Sequence, residues 1–470
     1  MTPHRPSPPE VIDIDHSRVA GREGTATKRA HRVAALLQQE MISGRLEAGH
    51  CLGTAAEIRA RYRLGRWAFR EALGILELRG VARPRPGPGG GVVVSEPGVG
   101  NLVDLTLIYL HATPHGIAEL MRAERAVLSA VVRRLLQRRN DLTSAAPPSG
   151  DWRGGLPRFL ASKTVNPALA LAVEFIESVR DARLCAIDGP SGDDARSARA
   201  LHHAIHCGNR RGALVALDVY LDCRNLGLSE ARPRLDDLSE HRASAGKSAY
   251  RLALQILTTI LEYPEAWKAC VGSEAEWAGR FEASGEIVRQ AVRLIEDLEI
   301  VTLRRGRNGG MMVRAPDTAS IASIFPHILA QRGISVADCF EATGMLNIEI
   351  ARIAAGRRGG ERCGVEARCS VGPINPWEMI LIDRHIQARA ESPLLAGIER
   401  GFLLYSCLRE PPGVDERVPI DEMMRLSRAI VDAVERGDVE AAVAAAEQRF
   451  RFMALRFTAF DRYASGGAVS

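Results

Sequence analysis

Two arginines, Arg66 and Arg70, carry the chemistry that this sequence offers most plainly, because they stand four positions apart beside an apolar stripe. That stripe consists of Phe69, Ala72, Leu73 and Leu76. On a helix these four residues share one face, and the two guanidinium groups lie on another. Clustered guanidinium groups bind phosphate oxygens and guanine edges. The pattern predicts a helix that packs on one side and contacts nucleic acid on the other.

Other polar clusters give weaker signals. His202 and His206 have the i, i+4 spacing of metal ligands, with His203 beside them, but no carboxylate stands at a matching helical position. We interpret them as ordinary surface or core histidines. The glycine-rich run 87–91 lacks the Lys-Ser/Thr pair and the helix start of a nucleotide-binding loop. No Ser/His/Asp, Cys/His or paired-carboxylate arrangement points to catalysis, so we predict that the chain is not an enzyme.

The basic helix has neighbours that would position it. Thr54, followed three residues later by Glu57, predicts a capping-box start for a preceding helix. A further helix is predicted over 28–43, and two β-prone runs over 81–95 surround a turn rich in proline and glycine. Three helices followed by a β-hairpin predict a winged helix-turn-helix.

The same pattern occurs again 219 positions later in the chain. The corresponding pairs include Thr54 and Ser273, Glu57 and Glu276, Phe69 and Val288, Arg70 and Arg289, Ala72 and Ala291, and Leu76 and Ile295. A second hairpin is predicted over 300–313, where Asn308-Gly309 is a strong turn signal. An internal repeat of this length determines how many structural units a chain contains. We therefore predict a tandem duplication.

Charge is distributed unevenly between the two copies. The formal net charge of the 470 residues is only +5. Residues 28–85 contain 12 Lys and Arg against 5 Asp and Glu, whereas residues 247–314 contain 10 against 9. Since nucleic acid attracts clustered cations, the first copy is the better candidate for contacting it.

Composition indicates a globular protein of the cytoplasm. Hydrophobic residues make up 46% of the chain, which is enough for several cores. The nine cysteines include no CxxC pair, which argues against a disulfide framework and favours a reducing compartment. The first residues lack the apolar core of a signal peptide, and no apolar run has the length of a membrane span.

The predicted fold class is mainly α, with two winged helix-turn-helix domains, each followed by an all-helical bundle. The expected segments are a disordered tail over 1–27, a first winged helix domain over 28–97, a degenerate helical ligand-binding domain over 98–231, a linker over 232–247, a second winged helix domain over 248–316, a second helical ligand-binding domain over 317–463 and a tail over 464–470. Helices are expected over 102–110, 117–137, 158–181, 194–205 and 211–226, and later over 347–355, 377–390 and 438–456.

These patterns resemble the GntR superfamily of bacterial transcription regulators, and in particular its FadR-like subfamily, in which a winged helix precedes an FCD-type helical ligand-binding domain. The matching segments are Gly44-Arg45-Leu46, Gly49-His50-Cys51-Leu52, Glu57-Ile58, Leu64-Gly65-Arg66, Phe69-Arg70-Glu71-Ala72-Leu73 and Gly90-Gly91. The second copy keeps Ser273, Glu276, Ser284 and the run 288–292.

The resemblance implies a set of DNA-contacting residues in each copy. They are Arg45, Thr54, Gly65, Arg66, Trp67, Arg70, Gly89 and Gly90 in the first copy, and Ser273, Ser284, Arg289, Asn308 and Gly309 in the second. Ala56 stands where the family has an arginine, and Trp67 replaces a small polar residue. Gly285 replaces the recognition arginine of the second copy, so we expect that copy to bind DNA more weakly.

The helical domains match through Asn166-Pro167 and Ser392-Pro393. Many domains of this type hold a divalent metal with one aspartate and three histidines. The resemblance assigns these positions to Met379, Asp383, Ser427 and Arg449 in the second copy, and two of them to Ala198 and Tyr220 in the first. His385 is a shifted alternative. Because the imidazoles are missing, we expect no metal and no other cofactor.

The function that the resemblance implies is a regulator that binds double-stranded operator DNA and responds to a small-molecule effector, in this family often an organic acid. Two fused copies allow an intrachain pseudo-dimer, and a homodimer of chains is the other arrangement considered. One alternative is a degenerate scaffold or ligand sensor that has lost sequence-specific DNA binding. An enzyme built on the helical halves is a further alternative, without a catalytic constellation to support it.

Overall fold

The computed structural model describes residues 29–87, 90–113, 115–137, 155–183, 192–225, 246–261, 270–304, 310–314, 316–357, 376–409 and 420–464. These residues are mainly helical, with two small antiparallel sheets, which confirms the mainly α fold class. Gly89, Asn308, Gly309, the segment 1–27 and most of the linker 232–247 lie outside the described residues. Within them, no helix combines the length and the apolar character needed to cross a bilayer.

The first head, as we call the elements up to Val94, combines three helices with a three-stranded sheet. Its elements are α1 (Arg29–Ser43), β1 (Cys51–Gly53), α2 (Ala55–Arg61), α3 (Arg66–Leu78), β2 (Ala82–Arg85) and β3 (Gly91–Val94). The sheet order is β1-β3-β2, and both pairings are antiparallel. The helices and the hairpin agree with the prediction. Strand β1 was not predicted, because three residues are too few to show an alternating pattern.

The first bundle follows the first head. Its helices are α4 (Val99–Ala112), α5 (Gly116–Gln137), α6 (Gly155–Lys163), α7 (Pro167–Arg183), α8 (Gly192–His206) and α9 (Arg210–Asn225). The single helix predicted over 158–181 is wrong, since two helices occupy that range. Pro167 is the cause, because a residue before proline is driven out of the helical conformation. Asn166 instead caps α7, accepting the backbone N–H of Leu169 at 2.9 Å.

The second head repeats the element order of the first. Its elements are α10 (Gly246–Leu261), α11 (Glu274–Arg280), α12 (Gly285–Asp297), β4 (Val301–Arg304) and β5 (Gly310–Val313). An isolated bridge between Cys270 and Met312 occupies the place of β1. Backbone conformation also recurs at the 219-residue offset, since Arg63 and Glu282 both have a left-handed φ, of 51° and 49°.

The second bundle completes the described chain. Its helices are α13 (Ala319–Gln331), α14 (Val336–Gly356), α15 (Pro376–Ala390), α16 (Pro393–Arg409), α17 (Ile420–Arg436) and α18 (Val439–Ala464). The helix predicted over 347–355 begins eleven positions earlier than expected, at Val336. Ser335 sets that start, because its hydroxyl oxygen accepts the backbone N–H of Asp338 at 3.0 Å.

The two halves pack on one another through reciprocal contacts. The Nδ2 atom of Asn166 donates to the carbonyl oxygen of Asp338 at 3.0 Å. Conversely, Oε1 of Glu119 accepts the backbone N–H of Leu394 at 2.8 Å and lies 3.3 Å from the hydroxyl of Ser392. Asp338 is the counterpart of Glu119 in the repeat, and Ser392 is the counterpart of Asn166. Corresponding positions therefore meet twice across one interface, as in an isologous contact.

The two heads differ in whether their buried apolar side chains form a separate core or belong to the core of the bundles. The buried residues of the first head, such as Leu37, Ile58 and Leu76, form a cluster of their own. Those of the second head, such as Val288 and Ile295, belong to the same cluster as the interior of both bundles. The first head is thus a separate packing unit attached to a large common core.

Candidate nucleic-acid interface

The turn between α2 and α3 is fixed at both ends by local contacts. Thr54 caps α2: its hydroxyl oxygen accepts the backbone N–H of Glu57 at 3.2 Å, and the Glu57 carboxylate accepts the backbone N–H of Thr54 at 2.8 Å. This is the predicted capping box. At the other end, Arg63 takes a left-handed φ of 51°, and the side chain of Leu64 is buried. The capping box, the backbone turn at Arg63 and the buried Leu64 together set the direction in which the chain enters α3.

Helix α3 buries one face and exposes the other, as its sequence predicts. Phe69, Ala72 and Leu76 are buried in the first head, and Leu73 is half-buried against the same cluster. Burial of one large apolar side chain stabilises a fold by about 1.5–3 kcal/mol, so this face holds the helix in place. Arg66 and Arg70 are exposed. Among the described residues, no ion pair involves Arg66.

The N-terminus of α3 adds backbone donors to this basic face. Gly65 is the N-cap, and it has no side chain to accept the N–H groups of the first turn. Its φ of −70° is open to any residue, and a Cβ at this position would meet nothing within 4 Å. Uncapped N–H groups and the helix dipole favour an anion at such an end. Arg66 places a cation beside them.

The β2–β3 hairpin provides two further cations, Arg83 and Arg85, which are exposed on β2. Strand β2 pairs with β3 up to Arg85 and Gly91. Gly90 lies in the connecting turn, where a Cβ would stand 2.2 Å from the carbonyl oxygen of Arg85, so the turn requires glycine. We did not single out Arg83 and Arg85 from the sequence, although the excess of basic residues over 28–85 included them.

For three further predicted contact residues, the contact with DNA stays a prediction. Arg45 follows α1 in a left-handed conformation, with a φ of 50°, and its side chain is exposed. Among the described residues, no hydrogen bond joins Arg45 to α2 or α3. Trp67 lies in the first turn of α3, but its side chain is outside the description. Gly89 is also outside it.

The second head has the same caps with different side chains on its exposed face. Ser273 and Glu276 form the predicted capping box of α11. Ser284 caps α12, accepting the backbone N–H of Ile287 at 3.4 Å. Arg289 donates to the carboxylate of the exposed Glu286 at 2.9 Å, and this hydrogen bond lowers the pKa of Glu286. The cation of Arg289 is therefore matched by an anion of its own helix.

The sign of the charge is opposite on the two corresponding surfaces. Residues 54–71 of the first head contain five arginines and two glutamates. Residues 273–290 of the second head contain two arginines and four glutamates. Glu282 replaces Arg63 at the turn, and Gly285 replaces Arg66 at the start of the exposed helix. A phosphate backbone is attracted by the first surface and repelled by the second.

In the second bundle, three of the positions assigned to metal ligands do converge. Nη1 of Arg449 donates to Asp383 at 2.7 Å and to the hydroxyl of Ser427 at 3.2 Å. Arg449 and Ser427 are buried. A guanidinium group has no lone pair to offer a cation, so these residues do not fit a divalent metal. Met379 lies on α15.

The remaining histidine and ligand positions are dispersed. Ala198 and Tyr220 are buried in the first bundle. The ring of His202 lies 6.2 Å from that of Phe159. Burial lowers the pKa of the half-buried His385. Across the described parts of the chain, no group of three or more His, Cys, Asp or Glu residues is placed to hold a metal ion.

Comparisons with known proteins place few constraints on this chain. No family model matches the sequence, and no curated protein matches it. Among solved structures, a GntR protein of Streptococcus agalactiae is similar, with 18% sequence identity and a TM-score of 0.33. The match covers 44% of this chain and 99% of that protein. At this score the likeness carries no argument, and the function rests on the residues described above.

Proposed function

We propose that this protein is a DNA-binding transcription regulator of the GntR type, with α3 of the first head as its recognition helix. The observation that carries this proposal is the exposed pair Arg66 and Arg70 on a helix whose opposite face is buried. In this arrangement α3 enters the major groove, and its arginines contact phosphates and base edges. Arg83 and Arg85 on the wing contact the adjacent backbone.

The two halves act as an intrachain pseudo-dimer with one strong and one weak head. The reciprocal contacts of Asn166 and Glu119 support this arrangement. The weak head is the second, because Glu286 matches Arg289 and Gly285 replaces the arginine found at Arg66. Such a protein binds an asymmetric operator, in which one half-site provides most of the affinity.

The helical bundles sense a small molecule, with an organic acid as the effector class that the resemblance implies. Effector binding would change operator affinity only if the effector binds two arrangements of the heads with different affinity. The polar cluster around Arg449 in the second bundle is the better candidate for this role, since it supplies a buried cation within a helical bundle.

Binding of selected genomic fragments by three proteins tests the proposal. Genomic DNA is captured with the wild-type chain and sequenced, and a recovered fragment is titrated at several salt concentrations. We expect Arg66→Ala with Arg70→Ala to lose affinity and to show a shallower salt dependence, because phosphate contacts are lost. Arg289→Ala is the matched control and should change little. Equal losses would rule out the assignment of a strong and a weak head.

Two observations favour a second candidate function, a scaffold that has lost sequence-specific DNA binding. The exposed face of the second head is acidic, and Ala56 stands where the family has an arginine. If no genomic fragment is captured, or if capture does not depend on salt, the scaffold becomes the better interpretation.

A further inference from the structure

A buried set of polar side chains connects the first head to the second head and to the second bundle. We call it the clasp, and it consists of Gln38, Arg79, Asp297, Ser320 and His327. Their exposed fractions lie between 1% and 6%. Buried polar groups are costly unless they are hydrogen-bonded, and each member of the clasp has a partner within it.

Arg79 is the centre of the clasp. It follows the last residue of α3, and it donates through Nε and Nη2 to both carboxylate oxygens of Asp297, at 3.1 and 2.8 Å. Asp297 is the last residue of α12. The ion pair therefore joins the C-terminal ends of the two corresponding helices. A bidentate guanidinium–carboxylate contact fixes orientation as well as distance.

A second branch of the clasp reaches the second bundle. Nη1 of Arg79 donates to Oε1 of Gln38 on α1 at 2.6 Å. Nε2 of Gln38 lies 3.1 Å from the carbonyl oxygen of Ser323 and 3.2 Å from Nε2 of His327, both on α13. Burial, with Arg79 nearby, lowers the pKa of His327 to about 3. The ring is thus neutral at physiological pH, and its Nε2 accepts the amide hydrogen.

Within the described residues, the ion pair of the clasp has no equivalent at the reciprocal positions of the two heads. The counterpart of Arg79 is Leu298, and the counterpart of Asp297 is Leu78. About one turn nearer the N-termini of the same two helices, a Cβ on Gly74 would lie 3.1 Å from Nη1 of Arg293. The second head therefore meets α3 with the C-terminal half of α12, while the N-terminal half of α12 carries the acidic surface.

We propose that the second head is a platform that positions α3 for DNA, with Asp297 as the positioning residue acting through Arg79. This inference rests on the proposed function of the first head. It explains why a head with an acidic exposed face keeps a complete helical core. The second head contributes to DNA binding mainly by holding the recognition helix, and its own contact with DNA is the weak one.

The test compares two buried carboxylates that each form an ion pair between the halves. Asp297→Asn removes the charge that holds Arg79. Glu349→Gln is the control, because Glu349 is buried and pairs with Arg133, and both residues belong to helices of the bundles. Hydrogen exchange over 66–78 is measured for both variants without DNA. The titration of a captured fragment is then repeated at several salt concentrations.

We expect Asp297→Asn to speed exchange over 66–78 and to weaken DNA binding by about tenfold, comparable to the loss of one charged contact. The salt dependence should become shallower, since a misplaced α3 makes fewer phosphate contacts. A loss of stability alone would leave that slope unchanged. Glu349→Gln should preserve both the exchange over 66–78 and the slope. If Asp297→Asn does not fold, Arg79→Lys keeps a cation beside Asp297 but loses the bidentate contact, and it should speed the same exchange.

The two proposals can fail separately. If the wild type binds no DNA and only the clasp variants speed exchange over 66–78, the DNA function fails and the positioning role stands. If the clasp variants leave that exchange unchanged, or if Glu349→Gln speeds it equally, the positioning role is overturned whatever the DNA result.

Discussion

The two heads have the same order of helices and the same type of helix cap, but their exposed surfaces carry different charges. Both begin the first helix of the pair with a capping box, and both turn through a left-handed residue, Arg63 or Glu282. Their exposed faces nevertheless carry charge of opposite sign. Cores are kept by packing, because each buried side chain has many neighbours. Exposed charges have no such constraint, so two heads with the same kind of core can carry surfaces of opposite charge.

The two bundles differ in the charged groups that their interiors contain. The first holds a closed set of four buried charges, made by Glu124, Glu177, Arg180 and Arg224. The second holds Arg449 with the partly exposed Asp383, and it also buries Glu399, which has Asn347 and Gln387 as partners. In the first interior each carboxylate of this set pairs with an arginine. In the second, the carboxyl group of Glu399 has hydrogen-bond partners that are neutral amides.

The largest effect is expected from breaking the charge set of the first bundle. Glu177 and Glu124 raise the pKa of Arg224 although burial opposes them. Arg224→Met leaves two buried carboxylates with Arg180 as their remaining cation, and it should lower the free energy of unfolding by about 3–5 kcal/mol. Arg449→Met is the matched change in the second bundle and should cost less, because Asp383 reaches solvent. Urea denaturation measures both, and equal losses would erase the difference between the interiors.

The second prediction concerns Glu399, whose counterpart in the first bundle is the apolar Val173. Burial, with Asp383 nearby, raises the pKa of Glu399 to about 7. The folded state therefore binds an extra proton between about pH 4.5 and pH 7, and stability falls as pH rises through that window. Glu399→Gln mimics the protonated acid. Its advantage over the wild type should be absent at pH 4.5 and on the order of 3 kcal/mol at pH 8.

Thermal unfolding of both proteins across this pH range provides the measurement. The difference in stability between the variant and the wild type isolates the contribution of Glu399 from that of the other carboxyl groups. A difference that does not change with pH would mean that Glu399 titrates normally despite its burial.

Sequence reasoning predicted most features that have a local signal, and it could not predict contacts between distant parts of the chain. The capping boxes at Thr54 and Ser273, and the exposed side of α3, follow from residues within one or two helical turns. The clasp could not be predicted, because Arg79 and Asp297 are 218 positions apart. The break at Val165 was predictable from Pro167 and was missed, because the apolar pattern continues across it.

The third prediction exchanges the surfaces of the heads. Arg66→Gly with Trp67→Glu gives α3 the residues found at Gly285 and Glu286. We expect about a hundredfold loss of DNA affinity, because one cationic contact is removed and an anion is placed near the phosphates. The reciprocal change, Gly285→Arg with Glu286→Trp, also removes the partner of Arg289 and should increase affinity and steepen the salt dependence. If the reciprocal change has no effect, the second head is held away from DNA by its position rather than by its charge.

The smallest effect should come from the helix cap. Gly65→Ser gives α3 the N-cap that Ser284 provides for α12, and it should raise stability by a few tenths of a kcal/mol, in line with serine and glycine caps elsewhere. The hydroxyl oxygen would then compete with a phosphate for the N–H groups of the first turn. Operator affinity should fall by about threefold, roughly the worth of one exposed helix-end contact. Ser284→Gly is the control and should leave DNA affinity unchanged. An increase in affinity on Gly65→Ser would show that helix order, rather than the exposed N–H groups, limits binding at this end of α3.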